Sequence, residues 1–346
     1  MHARRIAPVV ALCLAALCAH VALPAAAFSQ AWVPRRGEGT VSFTYQNLVG
    51  RDHINFRGVR NRKVGTDSAH STSTEFEYGL TDRLAFNADV VYVASKYEGA
   101  FPEGPSDFDT SYHPTFQDAH FQVRYNALRN PLALTPFVSV TLPTHRYETS
   151  GHNAAGRHFR ELLIGVSAGR QLGPLLPNVY LQGRYSYAIL KRFAGLNLDR
   201  SNLDWEVGWA ATRRLTLRFL GAWQKTHGGL NGPGDFGKPG TEEFELHDRV
   251  LRAGYSRLGG GATFSLSRTF DVNVAYAGTV RGVNALAVKG VAVGFAWRFS
   301  RGSDISKISP TARRAMSRPR DGERFDRRAP DSWVEHQGRL LARPGS

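Results

Sequence analysis

The chain has 346 residues and a formal net charge of +15, and its two cysteines, Cys13 and Cys18, both lie in an N-terminal export signal. The mature chain therefore has no thiol, which excludes disulfides, thiolate catalysis and cysteine-based zinc sites. Beyond the signal, no apolar run approaches the ~18 residues that a membrane-spanning helix needs.

Residues 1–27 read as a secretory signal. Arg4 and Arg5 supply the positive start, Ile6 to Leu23 the uncharged apolar run, and Ala25-Ala26-Ala27 the small-residue cleavage site, so the mature chain is expected to begin near Phe28. A lipoprotein is set aside because Leu12 and Leu17 precede the cysteines where a small residue is wanted. The charge is spread as +2 in the signal, +8 over Phe28 to Phe299 and +5 in residues 300–346. A basic balance points to anionic partners. With no nucleic-acid motif in an exported chain, those are lipopolysaccharide phosphates or anions in a pore.

The predicted strands follow one another with period-2 alternation, apolar on one face and polar on the other. Thr40 to Asn47 sets Val41, Phe43 and Tyr45 against Ser42, Thr44 and Gln46. A polar stretch leads to His70–Gly79, where Phe76 and Tyr78 oppose Glu75 and Glu77. The compact turn Gly79-Leu80-Thr81-Asp82-Arg83 precedes Leu84–Ser95. A long loop follows, then Phe116–Asn126, with Ala119, Phe121, Val123 and Tyr125 against Asp118, His120, Gln122 and Arg124. Leu134–Leu142, Leu162–Gln171, Val179–Tyr187, Asn202–Ala210, Leu215–Gln224, Leu258–Leu266 and Phe270–Val280 continue the series. It closes on Gly290–Phe299, where Val291, Val293, Phe295, Trp297 and Phe299 oppose Ala292, Gly294, Ala296 and Arg298.

The tally is about twelve strands with six long and five short connections, Arg281–Ala285 being counted with the long side although it is short. Every short connection follows an even-numbered strand. That parity predicts an all-β fold: a transmembrane antiparallel up-and-down β-barrel of about 12 strands over residues 28–299, with both termini periplasmic. A soluble sandwich has no reason to alternate its loop lengths. Tyr78, Tyr125, Trp209 and Trp297 on one rim, and Tyr45, Tyr187 and Trp223 on the other, fit interfacial girdles. Residues 300–346 lack apolar periodicity and read as a basic disordered tail.

The faces opposite the apolar ones would line the lumen: Glu75, Glu77, Asn87, Asp89, Asp118, His120, Gln122, Arg124, Gln182, Arg184, Asp204, Glu206, Arg218 and Gln224. Charges of both signs there either line a conducting pathway or pair and fill a closed interior. Phe28 to Gly39, with Trp32, is a candidate plug. Nine of the twelve histidines lie between His53 and His247 without HxH or HExxH spacing, so solvated loop histidines are expected and no metal site or cofactor. An outer-membrane lipid-modifying enzyme would need a serine with a base in reach, and Ser150 with His152 is the nearest such pair in sequence.

Gly79 to Arg83, Thr141-Leu142-Pro143-Thr144, Gly165 to Arg170 and Gly282-Val283-Asn284-Ala285 together give the chain a resemblance. It resembles the outer-membrane transporter-like family of the phenol-degradation meta-pathway, which is distantly similar to fatty-acid and toluene channels. His145 and Val283 depart from the family, which has Gly and Arg there. The resemblance implies passive uptake or binding of small hydrophobic or aromatic compounds, and recognition of the closing strand Gly290–Phe299 by the barrel-assembly machinery. The partners expected are outer-membrane lipid, lipopolysaccharide and a small solute. The alternatives are the lipid-modifying enzyme and a closed structural or surface-interaction barrel.

Overall fold

Alternating sequence becomes a sheet when one face meets lipid and the other meets itself, and the computed structural model shows that outcome over residues 31–61, 65–99, 105–232 and 247–300. The expected export signal (1–27) and the expected basic tail (300–346), apart from Ser300, lie outside these described residues. The strands are β1 (Glu38–Ile54), β2 (Arg60–Asn61), β3 (Thr66–Gly79), β4 (Leu84–Glu98), β5 (His113–Tyr125), β6 (Ala133–Pro143) and β7 (Glu161–Gln171). They continue with β8 (Val179–Leu190), β9 (Arg200–Ala210), β10 (Leu215–Thr226), β11 (Gly254–Ser265), β12 (Phe270–Val283) and β13 (Ala285–Ser300).

Apart from β2, a two-residue piece hydrogen-bonded to the end of β1, each strand pairs antiparallel with the next. β13 pairs back onto β1, from Glu38↔Ser300 to Ile54↔Ala285. The result is a closed twelve-stranded up-and-down barrel. Closure removes every sheet edge, which is the condition for crossing a membrane with strands. Among the described residues no helix is long and apolar enough to cross one.

The shortest wall strands, β6, β7 and β9, have 11 residues. At about 3.3 Å per residue and a tilt of about 40°, such a strand rises roughly 28 Å, more than an apolar band of ~25 Å. Every wall strand is therefore long enough to span. The outer face carries the apolar set: Phe121, Val138, Ile164, Leu181, Phe219, Val274 and Val293 are each more than two-fifths exposed. A continuous apolar belt of this kind is stable only against lipid.

The ends of the barrel differ as the loop lengths predicted. Short connections join β3 to β4, β5 to β6, β7 to β8, β9 to β10 and β11 to β12, and Glu38 and Ser300 lie at that same end. One expectation is corrected. The connection counted sixth among the long ones is a single residue, Asn284, in a left-handed conformation (φ 45°). β13 begins at Ala285 rather than Gly290. Its first four residues, Ala285 to Val288, are all buried, so the alternation that marks a strand is missing there.

Candidate functional site

Inside the barrel the polar faces form a ladder of partners. The Arg124 guanidinium pairs with Glu77, both nearly fully buried. Asn87 Nδ2 donates to Glu75 Oε1 at 3.0 Å, and Gln122 stands opposite Asn87 in the register. His120 Nδ1 meets Asp89 Oδ2 at 2.7 Å. Arg184 lies opposite Asp204, with its guanidinium 4.3 Å above the Phe137 ring. Glu206 collects three neighbours: the Tyr180 hydroxyl, Gln182 Nε2 at 3.3 Å and Arg218 Nη1 at 3.6 Å. Gln224 Nε2 donates to Asn202 Oδ1 at 2.9 Å. Asp118 Oδ1 accepts from the Tyr147 hydroxyl at 2.6 Å. Each of these charges stands beside a partner, as a charge held away from bulk water must.

Two further inward pairs were not anticipated, Arg200 with Glu161 and Arg298 with Asp271. Glu161 lies one residue before the predicted strand Leu162–Gln171 and Arg200 two before Asn202–Ala210, where alternation gives no reading. Arg298 did fall on the predicted polar face, but its partner went unnoticed.

The ladder is interrupted by an apolar patch. Leu48 of β1, Leu220 of β10, Ala275 and Ala277 of β12, and Leu286, Val288 and Ala292 of β13 are buried in one cluster with Leu251 and Ala253 of the loop before β11, while Thr44, Gln46, Arg218, Gln224, Arg257, Asp271 and Arg298 are buried polar groups of β1 and β10 to β13. Beside this patch the β12–β13 ladder stops at Gly278↔Lys289. Above that point β12 remains paired to β11, and β13 to β1. Register shifts sit on both outer sides, between Gly50 and Asp52 and between Ser256 and Arg257. Such bulges re-aim the strands they interrupt. The Thr279 hydroxyl, accepting from the Val288 amide at 3.2 Å, bridges the seam.

Both mouths are narrowed. At the short-turn end Ala31 is fully buried; its carbonyl accepts from Thr135 Oγ1 at 2.7 Å. Trp32 packs edge-on against Tyr180 with ring centroids 6.2 Å apart. Of the expected plug, Phe28 to Gly39, this places Ala31 and Trp32 against the barrel's inner residues; residues 28–30 lie outside the described residues. At the other end residues 144–160 fold inward, and 151–157 are all buried. Tyr147 ties that loop to β5 through Asp118, and burial together with the Asp118 charge pushes the Tyr147 hydroxyl well above the usual phenol range. Arg249 covers it: its Nε donates to the Arg157 carbonyl at 3.1 Å, its guanidinium lies 3.9 Å over the Phe193 ring, and burial lowers its pKa.

The histidines do not all behave as solvated loop residues. His53 and His152 are 3% and 6% exposed. The pair Ser150 and His152 is not made: the Ser150 hydroxyl donates to Glu148 Oε1 at 2.6 Å, and His152 faces Asp67. A different pair is. Ser201 Oγ lies 2.7 Å from His227 Nε2 and 3.0 Å from the Tyr185 hydroxyl, on the outward face near the long-loop end. Asp199, three residues from β9's Asn202, directs its carboxylate to the Tyr187 hydroxyl and the Leu190 amide, at 3.2 and 2.9 Å. Ser201 is 4% exposed, which shields it from a substrate.

No family model matches the sequence, and no curated protein is significantly similar to it. Among solved structures, an outer membrane channel from Pseudomonas putida F1 superposes with a TM-score of 0.59, at 10% identity, over 76% of this chain and 96% of that one. The fold is that of a bacterial outer-membrane barrel. With its apolar belt, the chain belongs in that membrane. A KdgM porin (TM-score 0.42, 6% identity, 75% and 99% covered) and the CymD monoaromatic hydrocarbon channel (0.39, 8%, 77% and 89%) are remoter likenesses.

Proposed function

We propose that the barrel is a passive outer-membrane channel for small hydrophobic or aromatic compounds, with its short-turn end and both termini on the periplasmic side. The observation that carries this is an apolar patch in the lumen wall. A porin interior built for ions is polar throughout. Here the polar ladder is interrupted by the buried cluster of Leu48, Leu220, Ala275, Ala277, Leu286, Val288 and Ala292. Such a patch gives an apolar solute a low-energy track beside the point where the β12–β13 ladder stops. The resemblance to the phenol-degradation transporter-like family points the same way. The fourteen inward polar residues would set what else passes, and the Gly290–Phe299 stretch would present the closing strand to the assembly machinery.

Uptake of a radiolabelled monoaromatic compound by cells with and without the protein tests the reading. Wild-type protein should raise uptake, and Ala277→Glu with Leu286→Glu should abolish the gain while the barrel still folds. Unchanged uptake in the double variant would overturn it.

One contact supports a second reading, an enzyme acting on lipid: Ser201 with His227 on the outer face, where the serine, 4% exposed, would have to be uncovered before it could act. Hydrolysis of a phospholipid ester that disappears in Ser201→Ala would establish it.

A further inference from the structure

We propose that His53, Asp67 and His152 form a site for one divalent transition-metal ion of the zinc class, which clamps the 144–160 loop to the barrel wall. The three side chains come from separate segments: the end of β1, the start of β3 and the inward loop. One donor atom from each lies within 4.8 Å of the other two, and all three residues are buried. Asp67 sits between the imidazoles. Its Oδ1 is 3.2 Å from His152 Nδ1 and its Oδ2 is 3.6 Å from His53 Nε2.

The second distance decides the reading. At 3.6 Å there is no hydrogen bond. Yet His53 Nε2 and Asp67 Oδ2 are buried and have no other hydrogen-bond partner among the described residues. Two such atoms facing each other across a gap too long for a proton are a place for a cation. Around tetrahedral zinc, with bonds of about 2.0–2.1 Å, donor atoms stand roughly 3.3 Å apart. The two Asp67–imidazole spacings, one to each carboxylate oxygen, lie near that value, and the imidazole donors, within 4.8 Å of each other, would draw together around an ion. Two imidazole nitrogens with one carboxylate select zinc-like ions over calcium or magnesium, which take oxygen ligands.

The surroundings hold the donors in place, as metal sites require. The fully buried Tyr97 ring stacks on His152, with centroids 3.9 Å apart and planes 9° apart. Gly65 and Gly99 make room for that ring; a Cβ would come within 2.4 and 2.1 Å of it. Asp107 accepts the amides of His152 and Asn153, each at 2.8 Å. Ser95 Oγ donates to the Asn153 carbonyl at 2.8 Å. The ligand-bearing loop is thus fixed to the β4 side and presents His152 toward Asp67. With no cysteine after Cys18 there is no disulfide between this loop and the wall, and a metal supplies the equivalent cross-link.

The test uses residues 28–346, refolded in detergent, stripped with EDTA and titrated with zinc chloride by calorimetry. One equivalent should bind. Asp67→Asn and His152→Gln should each weaken binding at least ~10-fold, whereas His70→Gln and His227→Gln should not. Cobalt should give a d–d absorption band that zinc removes. Zinc should also slow tryptic cleavage at Arg146 and Arg157 in the wild type but not in Asp67→Asn. A heat-modifiable gel shift certifies folding of each variant, and His53→Gln replaces any that does not refold. No saturable binding by folded wild-type protein, or binding unchanged in folded Asp67→Asn and His152→Gln, would overturn the proposal. Neither result bears on channel activity, so the two readings fail separately.

Discussion

At the scale of single residues, the two faces of each strand answer to opposite solvents, and substitutions separate them. Val293 lies midway along β13 on the outer face and is 44% exposed. Val293→Arg should destabilise the folded barrel by about 2–4 kcal/mol, read by urea-driven unfolding into and out of lipid vesicles. Arg124 points the other way, to Glu77. Arg124→Ala leaves the Glu77 carboxylate buried without its cation and should cost about 3–5 kcal/mol. The double variant Arg124→Ala/Glu77→Ala should recover most of that loss. No recovery would mean that the pair is not the structural unit described here. Which face each residue takes was legible in the alternation. Which residue pairs with which was not. Glu206 reaches Tyr180, Gln182 and Arg218 across three strands, and that depends on a register fixed by turns rather than by composition.

At the scale of elements, most strands and turns were readable, because each short turn carries its own chemistry. In the turn before β4, the Thr81 hydroxyl accepts the Leu84 amide at 2.9 Å, and Thr212 does the same for Leu215 at 3.0 Å. The exception, the start of β13, was hidden because Ala285 to Val288 lie against other protein on both faces, so no alternation marks them. The closing seam depends on a small residue opposite a large one. A Cβ on Gly39 would lie 2.5 Å from the Phe299 ring, which also stacks on Phe76 and Tyr78. Gly39→Val should therefore impair closure, seen as a smaller heat-modifiable fraction after refolding, while Gly173→Ala, where a Cβ meets open space, should not. The inward loop makes a third case. Tyr147→Phe removes the hydrogen bond to Asp118 and should speed proteolysis within 144–160 without shifting the unfolding midpoint of the barrel.

For the whole molecule, loop-length parity carried the fold from sequence to barrel, because an up-and-down barrel in a membrane allows few other arrangements. The interior was less legible. Nothing in the alternation of β10 to β13 says that small inward residues such as Ala275, Ala277 and Ala292 gather with Leu48 and Leu286 into one apolar patch. Nor does the spacing of His53, Asp67 and His152 reveal that three segments converge. Both features arise from closure, which brings β13 beside β1. The two narrowed mouths follow from the same geometry, since a twelve-stranded lumen is wide enough to admit a chain segment and has polar groups to hold it.

The most direct measurement is single-channel conductance of the refolded barrel in a planar bilayer, for the wild type and for a variant with residues 146–157 replaced by a short glycine-serine linker. The account predicts small steps for the wild type and markedly larger ohmic steps once the inward loop is gone. Absence of conductance in both proteins, each folded and heat-modifiable, would contradict a path through the lumen.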